Sequence, residues 1–194
     1  LFESFNLLSM QTENDAVQMR HLGVPAKQIK TLGNLKYDTN LFTDNVPENK
    51  QEKTDVRIPE NNLIWVCGST HPGEEEMIIT AFANLFHTRK DCFLRLAPRD
   101  PNRSKEIQKL ISERGLQSMR RTCSTDPVAP ILILDTIGEL ADCYKLARVA
   151  FIGGSLVDFG GHNPLEAAAY GVPVLFGPHM DDFLEIARDL TECG

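Results

Sequence analysis

Short apolar runs alternate along this chain with longer amphipathic stretches. Such an alternation is typical of a parallel β-sheet flanked by α-helices. The pattern therefore predicts an α/β fold. The predicted strands cover residues 7–10, 29–32, 63–67, 93–97, 131–134, 149–152 and 173–176, and the predicted helices cover residues 14–21, 74–87, 104–114, 137–146, 164–170 and 182–190.

Polar or glycine-rich turns directly follow the stronger of the predicted strands. In an open parallel sheet these turns lie together at the carboxyl edge of the strands, where ligands bind. The segment 43–62 differs, because it is polar, charged and interrupted by Pro47 and Pro59. We expect this segment to be an exposed loop.

Composition narrows the possible functions. The formal net charge of −7 argues against a broad nucleic-acid-binding surface, because phosphate contacts require a dominant positive field. The five cysteines contain no C-x-x-C pair, which favours a reducing compartment. No apolar run approaches the roughly 18 residues that span a bilayer, so we expect this piece itself to be soluble. Because the chain begins at Leu1, within plausible elements, we expect a fragment of a longer protein.

A glycine-rich segment, residues 151–178, carries the densest chemical signal of the sequence. Its two glycine pairs, Gly153–Gly154 and Gly160–Gly161, allow the backbone to approach a ligand closely. Pro164 then occupies a favoured first position of a helix, whose free amides attract anions. The segment predicts an anion site, most simply a phosphate site. An open alternative is that the glycines are tight-turn residues that bind no ligand.

Two residues of the same segment indicate how a nucleotide would lie. Asn163 stands at the predicted helix N-cap, where its side chain would satisfy backbone amides with or without a ligand. Glu166 lies in the first turn, where the helix dipole favours a carboxylate. A phosphate would repel this carboxylate unless the carboxylate faced hydroxyl groups, such as those of a ribose. We therefore expect the phosphate on the amides and the ribose on Glu166.

Three further turns at the predicted carboxyl edge offer ligand contacts. Ser69 and His71 can donate hydrogen bonds, although helix capping alone would also explain the hydroxyl residue. Arg99 can direct two hydrogen bonds to one phosphate, whereas we interpret Arg103 as part of a solvated helix face. The amides of residues 137–139 could meet a base edge or a phosphate, and helix initiation explains them equally well.

Metal and cofactor chemistry lack support in the sequence. The five histidines are scattered, and the carboxylates show neither H-E-x-x-H nor EF-hand spacing. The sequence contains neither a P-loop nor a G-x-S-x-G elbow. We expect no catalytic metal and no bound cofactor.

These motifs, in this order, resemble the C-terminal domain of the bacterial 3-deoxy-D-manno-octulosonic acid (Kdo) transferases. The resemblance implies a GT-B glycosyltransferase, in which two Rossmann-like domains face a cleft. The whole chain would be the single C-terminal, nucleotide-sugar-binding domain, with a parallel sheet covered by helices on both faces. The motifs are Gly33-Asn-Leu-Lys-Tyr-Asp38, Ser69-Thr-His-Pro-Gly-Glu-Glu75, Ala97-Pro-Arg99, Asp135-Thr-Ile-Gly-Glu-Leu140, Gly153-Gly-Ser-Leu-Val157 and Gly160-Gly-His-Asn-Pro-Leu-Glu166.

The resemblance also implies a donor, CMP-Kdo, and the residues that contact it. Lys36 and His71 would reach the sugar or phosphate, and Ser69 is a further candidate. Asp100 stands where the family commonly has histidine, so it is assigned no role. The implied CMP contacts are Pro98, Arg99, Ile137, Gly138, Glu139, Asn163, Pro164, Leu165 and Glu166, with Gly154 and Ser155 lining the phosphate pocket.

The implied reaction transfers Kdo to a lipid A precursor in lipopolysaccharide biosynthesis. The leaving phosphate gains charge in the transition state, where Arg99 and the amides would stabilise it. Deprotonation of the acceptor needs a base, for which this chain offers no convincing candidate. The resemblance places the base, the acceptor site and the membrane contact in an N-terminal domain, at the cytoplasmic face of the inner membrane. A UDP-sugar-dependent GT-B enzyme or epimerase, and a non-catalytic nucleotide-binding module, remain alternatives.

Overall fold

The computed structural model describes residues 4–33, 62–123 and 129–193. The chain divides into two compact units, Leu1–Lys50 and Gln51–Gly194, and each contains a sheet of its own. The organisation as one domain, expected from the sequence, stays a prediction. Within the described residues, no helix combines the length and the apolar character that crossing a membrane requires.

The first unit is built around a short β-α-β element. Strands β1 (Leu8–Met10) and β2 (Ile29–Thr31) pair in parallel, and helix α1 (Glu13–His21) connects them. Thr12 and Asp15 form a capping box at the start of this helix. Thr12 Oγ1 accepts from the Asp15 amide at 3.0 Å, and the Asp15 carboxylate accepts from the Thr12 amide at 3.0 Å.

The second unit contains a six-stranded sheet in which every neighbouring pair of strands is parallel. Its strands are β3 (Leu63–Thr70), β4 (Cys92–Pro98), β5 (Ser118–Arg120), β6 (Ile131–Ile133), β7 (Val149–Ile152) and β8 (Val174–Phe176). Its described helices are α2 (Glu74–Thr88), α3 (Ser104–Glu113), α4 (Leu140–Lys145), α5 (Leu165–Ala168) and α6 (Leu184–Cys193). This architecture confirms the predicted α/β fold.

Apolar layers cover both faces of the sheet, because a parallel sheet buries the side chains of both faces. On one face, α2 and α3 pack the fully buried Phe82 and Ile107 against the strands. On the other face, α4 and α5 contribute the buried Tyr144 and Ala167. Alternate residues of β3 face the two layers, so the central strand is held from both sides.

The strand order creates a switch point beside the central strand. The strands lie in the order β5-β6-β4-β3-β7-β8. The chain first builds outward from β3 and then returns, so that β7 pairs on the opposite side of β3. Ligands of open α/β sheets bind in the crevice at the carboxyl ends of the strands where the order reverses. The turns after β3 and β7 therefore frame the expected site.

Several predicted boundaries differ from the observed ones. Strand β5 was not predicted, because its sequence Ser-Met-Arg lacks an apolar run. Helix α4 begins at Leu140 rather than at residue 137, because Gly138 has a φ of 90°, outside the helical region. Helix α5 covers only four residues and begins after Pro164. Lys36 and residues 43–61 of the predicted loop lie outside the described residues.

Candidate functional site

The carboxyl end of β3 is irregular at the edge of the sheet. Ser69 has a φ of 56°, and the pairing of β3 with β4 shifts register between Gly68 and Thr70. The Arg99 amide donates to the Thr70 carbonyl at 2.9 Å, which fixes the turn after β4 against β3. The buried Thr70 hydroxyl donates to Glu75 at 3.1 Å. Thr70 is therefore structural, whereas Ser69 lies half-buried at the edge.

The amides at the switch point bind a carboxylate of the protein itself. Glu74 is fully buried at the start of α2. Its Oε2 accepts from the amides of His71 at 2.8 Å and Gly154 at 2.7 Å. Its Oε1 accepts from the amides of Ser155 at 3.0 Å and Leu156 at 2.9 Å. Because hydrogen bonds to an ionised acceptor are strong, Glu74 ties the turn after β3 firmly to the turn after β7.

This arrangement bears on the predicted phosphate pocket, whose lining by Gly154 and Ser155 stays a prediction. The amides of both residues donate to Glu74, so in this structure they are not free to bind a phosphate. The Ser155 hydroxyl is engaged as well, because it donates to the Ile152 carbonyl and accepts from the Gly177 amide at 2.8 Å. The physical reason is that Glu74 is held covalently beside these amides and satisfies them first. In this structure both residues stabilise the turn after β7 through hydrogen bonds within the protein.

Two histidines meet in front of this braced turn. His71 Nε2 and His162 Nε2 lie 2.8 Å apart, and the His71 ring stacks on Phe159 with centroids 4.2 Å apart. Burial lowers the pKa of His162, and the charges of His71 and Arg99 lower it further. The sequence indicated His71 but not His162. The two histidines are 91 positions apart, so their spacing along the chain gave no indication that they would be in contact.

Arg99 acts on titratable groups from a neighbouring turn. Glu166 is exposed as a residue, but partial desolvation of its carboxyl group by surrounding atoms raises the pKa of that group, and the positive charge of Arg99 opposes the increase. The same charge lowers the pKa of His162. The exposed Arg99 therefore influences both side chains electrostatically. Its backbone bond to Thr70 holds its turn beside the turn that carries His71.

The start of α5 positions Glu166. Asn163 Oδ1 accepts from the Leu165 amide at 3.1 Å, which confirms that Asn163 satisfies the helix start. Pro164 is buried and occupies the N-cap, one residue later than the sequence indicated. Because α5 is four residues long, the helix dipole at this end is weak. The role of these residues is to hold the exposed Glu166 at the edge.

The loop before α4 presents apolar surface to solvent. Ile137 is 90% exposed, and open space surrounds the Cα of Gly138. The Glu139 carboxylate accepts from Arg121 Nε at 3.0 Å and from the Thr136 hydroxyl at 2.8 Å. Glu139 thus braces a loop that displays an isoleucine side chain. Such a side chain offers a contact surface for a flat ring.

Arg103 has a structural role that the sequence analysis missed. Arg103 Nη1 binds the Glu75 carboxylate at 2.8 Å, and Glu75 is buried. A second nitrogen of Arg103 binds Glu106 at 2.8 Å. Burial raises the pKa of Glu75, and Arg103 opposes that increase. The interpretation of Arg103 as a solvated residue is wrong, because its charge compensates a buried carboxylate.

One group of potential metal ligands comes together within the described residues. Ligand atoms of Asp158, His179 and Asp181 lie within 4.8 Å of one another. Both carboxylates are exposed, and exposed acidic groups are common without an ion. The expectation that no catalytic metal is needed stays a prediction.

Known proteins resemble this chain in sequence. A family model described as 3-deoxy-D-manno-octulosonic-acid transferase (kdotransferase) matches residues 1–39. A 3-deoxy-D-manno-octulosonic acid transferase from Haemophilus influenzae is 33% identical over 194 residues, which cover 99% of this chain and 45% of that protein. The corresponding Rickettsia felis protein is 31% identical over 99% of this chain and 40% of its own length. The chain thus spans less than half the length of these relatives.

Solved structures resemble the chain as well. The C-terminal CMP-Kdo binding domain of WaaA from Acinetobacter baumannii superimposes with a TM-score of 0.64 and 31% identity, covering 69% of this chain and 70% of that one. A glycosyltransferase from Rickettsia africae gives a TM-score of 0.53 at 16% identity, over 97% of this chain and 54% of that one. The second likeness concerns the fold alone. Both agree with the parallel sheet described above.

Proposed function

Because the chain belongs to the Kdo transferase family, we propose that it binds CMP-Kdo and supplies the donor side of a glycosyltransferase. The reaction would move Kdo from CMP to a sugar hydroxyl. The proposal is supported by the way the turns after β3, β4 and β7 are joined at the switch point, through the Arg99–Thr70 backbone bond and the His71–His162 pair. Arg99 and Glu166 are exposed at the same edge of the sheet. A cationic group and a carboxylate at one sheet edge suit a ligand that has both a phosphate and hydroxyl groups.

The orientation of the nucleotide follows from the chemistry of these side chains. The exposed guanidinium of Arg99 can direct two charge-assisted hydrogen bonds to the phosphate. Glu166 can accept hydrogen bonds from the ribose hydroxyls, because a carboxylate is an acceptor without donors. The exposed side chain of Ile137 can cover one face of the base. The nucleotide would therefore lie across the turns after β4, β6 and β7.

The other candidate residues hold the proposed contact residues in place or shape the loops that carry them. Pro98 is buried and leads into Arg99, and Asn163, Pro164 and Leu165 hold Glu166. Gly138 and Glu139 shape the loop around Ile137. Gly154 and Ser155 act through their bonds to Glu74. Ser69 and Lys36 stay predicted contacts of the sugar or phosphate.

Within the complete enzyme, we assign the acceptor chemistry to residues outside this chain. The leaving phosphate becomes more negative as its bond to Kdo breaks, so Arg99 would stabilise the transition state more than the ground state. The base that deprotonates the acceptor is expected in an N-terminal domain. That domain would also meet the lipid A precursor and the cytoplasmic face of the inner membrane. The net charge of −7 gives no support to nucleic acid as a partner.

The Glu166→Gln variant tests the donor site. Hydrogen bonds to a charged acceptor contribute about 1.5–3 kcal/mol each, so losing the charge should raise the Kd for CMP about tenfold to 150-fold. Isothermal titration calorimetry measures this change. The matched control is Glu185→Gln, which alters a carboxylate in the first turn of α6 and should leave the affinity unchanged.

Two comparisons in the same calorimeter separate this proposal from its rivals. CMP should bind in the presence of EDTA, because the proposed contacts are side chains of the protein. CMP should also bind more tightly than UMP or UDP. Tighter binding of UDP would favour a UDP-sugar enzyme, and a folded chain that binds no nucleotide would favour a non-catalytic module.

Transfer itself can be tested with the purified chain. We expect it to bind CMP but to transfer no Kdo from in situ generated CMP-Kdo to a lipid A precursor. Addition of the N-terminal domain of the H. influenzae relative, or of a full-length relative, should provide transfer. A rate from this chain alone that matches the full-length relative would place the base within these 194 residues.

A further inference from the structure

The His71–His162 pair has a geometry that limits its charge. The two Nε2 atoms lie 2.8 Å apart and share one hydrogen bond, so one ring donates and the other accepts. If both rings were protonated, two N–H groups would face each other at this distance. The intact pair therefore exists in two states: neutral, or with a single extra proton that makes it cationic.

The surroundings of the pair contain charges of both signs. Burial disfavours a proton on His162, and the neighbouring ring and Arg99 act in the same direction. Glu74 and Asp182 favour the proton. Both oxygens of Glu74, however, are already engaged by four backbone amides. An anion arriving beside Arg99 would add the negative charge that the pair needs to become cationic.

We propose that the His71–His162 pair takes up one proton when the phosphate of the donor nucleotide binds, and that the resulting imidazolium, together with Arg99, holds that phosphate. This inference rests on the proposed function, because it takes the nucleotide phosphate as the anion. It assigns the pair a positioning role in phosphate binding. It also explains how the phosphate is held although the Gly154 and Ser155 amides are occupied.

Proton uptake makes the affinity for CMP depend on pH. An opposite charge within about 4–6 Å raises the pKa of a histidine by about one unit or more. Between the pKa of the pair in the free protein and its pKa in the complex, the Kd for CMP should rise about tenfold for each pH unit. Because burial lowers the pKa of His162 in the free chain, this range begins below the usual value of 6.5. The second pKa of a phosphate monoester is about 6, so the fit of the Kd also includes the ionisation of free CMP.

Two measurements on the purified chain test the proposal. Calorimetry of CMP binding at one pH, in buffers with different ionisation enthalpies, counts the protons taken up per CMP. NMR of the Hε1 protons follows each histidine with and without CMP, and five histidines are few enough to assign by single substitutions. For a pKa increase of about 1–3 units we expect a net uptake of about half a proton to one proton per CMP, and a raised pKa for a histidine of the pair. Cytidine, which lacks the phosphate, should bind without proton uptake.

Variants separate a proton-binding role from a purely structural one. The His71→Gln, His162→Gln double variant keeps two side chains that can share a hydrogen bond, but neither can take up a proton. It should remove the pH dependence while retaining the weaker affinity that the wild type shows at high pH. His179→Gln, a histidine outside the pair, should leave the proton uptake unchanged. A uniform loss of affinity in the double variant at every pH would indicate a structural role and overturn the proposal.

The outcomes distinguish this inference from the proposed function. If CMP binds without proton uptake, and neither histidine of the pair shifts, the inference fails and the donor site stands. If the folded wild-type chain binds no CMP, the proposed function fails as well. Uptake that persists unchanged in the His71→Gln, His162→Gln double variant would assign the proton to another group and also overturn the inference.

Discussion

Replacement of Glu74 by glutamine should destabilise the chain far more than replacement of an exposed carboxylate on the same helix. The amide has nearly the shape of the carboxylate, but its nitrogen donates where an oxygen accepted. One of the two amide pairs, His71 with Gly154 or Ser155 with Leu156, would then face an NH2 group. Each buried donor without an acceptor costs about 1–3 kcal/mol, so two cost about 2–6 kcal/mol.

This loss is large compared with the total stability of about 5–15 kcal/mol that is typical of a folded domain. Urea unfolding followed by circular dichroism measures it as a lower midpoint with an unchanged slope. The matched control is Glu76→Gln, which lies in the same first turn but is exposed and paired with Arg114. We expect the control to lose less than about 1 kcal/mol. Equal losses in the two variants would refute the role assigned to Glu74.

Added formate should partly restore the stability of a variant in which the four amides have lost the Glu74 carboxylate. Glu74→Ala removes both oxygens and opens a space in front of four amides. Formate fits the shape and charge of the missing group, and ligands that bind the folded state stabilise it. We expect formate to raise the melting temperature of Glu74→Ala more than that of the wild type at equal ionic strength. The same increase in both proteins would contradict a specific carboxylate site.

Two further substitutions test the frame of the site. Gly153→Ala should cost about 1–3 kcal/mol in urea unfolding, because its Cβ would collide with the Ser69 carbonyl oxygen. Gly115→Ala should cost less, because nothing lies near the position of its Cβ, although Gly115 has a φ of 70°. Arg103→Met leaves the buried Glu75 without its counter-charge and should cost about 3–5 kcal/mol at pH 8. Because the pKa of Glu75 is raised in the folded chain, its ionisation reduces stability as the pH rises above about 4.5, so the loss should be smaller at pH 5. An identical loss at both pH values, or no recovery in the Arg103→Met, Glu75→Gln double variant, would exclude this explanation.

The sequence predicted most of the second unit because its core is built from continuous apolar runs. Strands such as β7 and helices such as α2 were found within a residue or two of their bounds. Strand β5 was missed because its side chains are only half-buried and its three residues show no periodicity. The short helices α4 and α5 were predicted too long. Their ends depend on backbone conformations, such as that of Gly138, which periodicity does not reveal.

The candidate site was only partly predictable for a related reason. The rule that polar turns gather at the carboxyl edge placed Arg99, His71 and Glu166 on one side of the sheet. It did not reveal that Glu74 would occupy the amides of the glycine-rich turn, since each of three consecutive glutamates could have done so by sequence alone. Nor did it pair His162 with His71. Contacts between distant turns depend on the packing of the sheet, which the local sequence does not encode.

The occupied amides determine how the site can hold an anion. Glu74 is attached to the helix that carries it, so its effective concentration at the amides is on the order of millimolar or higher. A nucleotide phosphate would have to displace it and leave a buried carboxylate without partners, which costs several kcal/mol. Binding to the side chains of Arg99 and the histidine pair leaves the Glu74 hydrogen bonds intact and avoids that cost. The rigidity of the two turns and the affinity for phosphate would then depend on different residues. Changes at Arg99 should weaken CMP binding with little effect on unfolding, whereas changes at Glu74 should affect unfolding first.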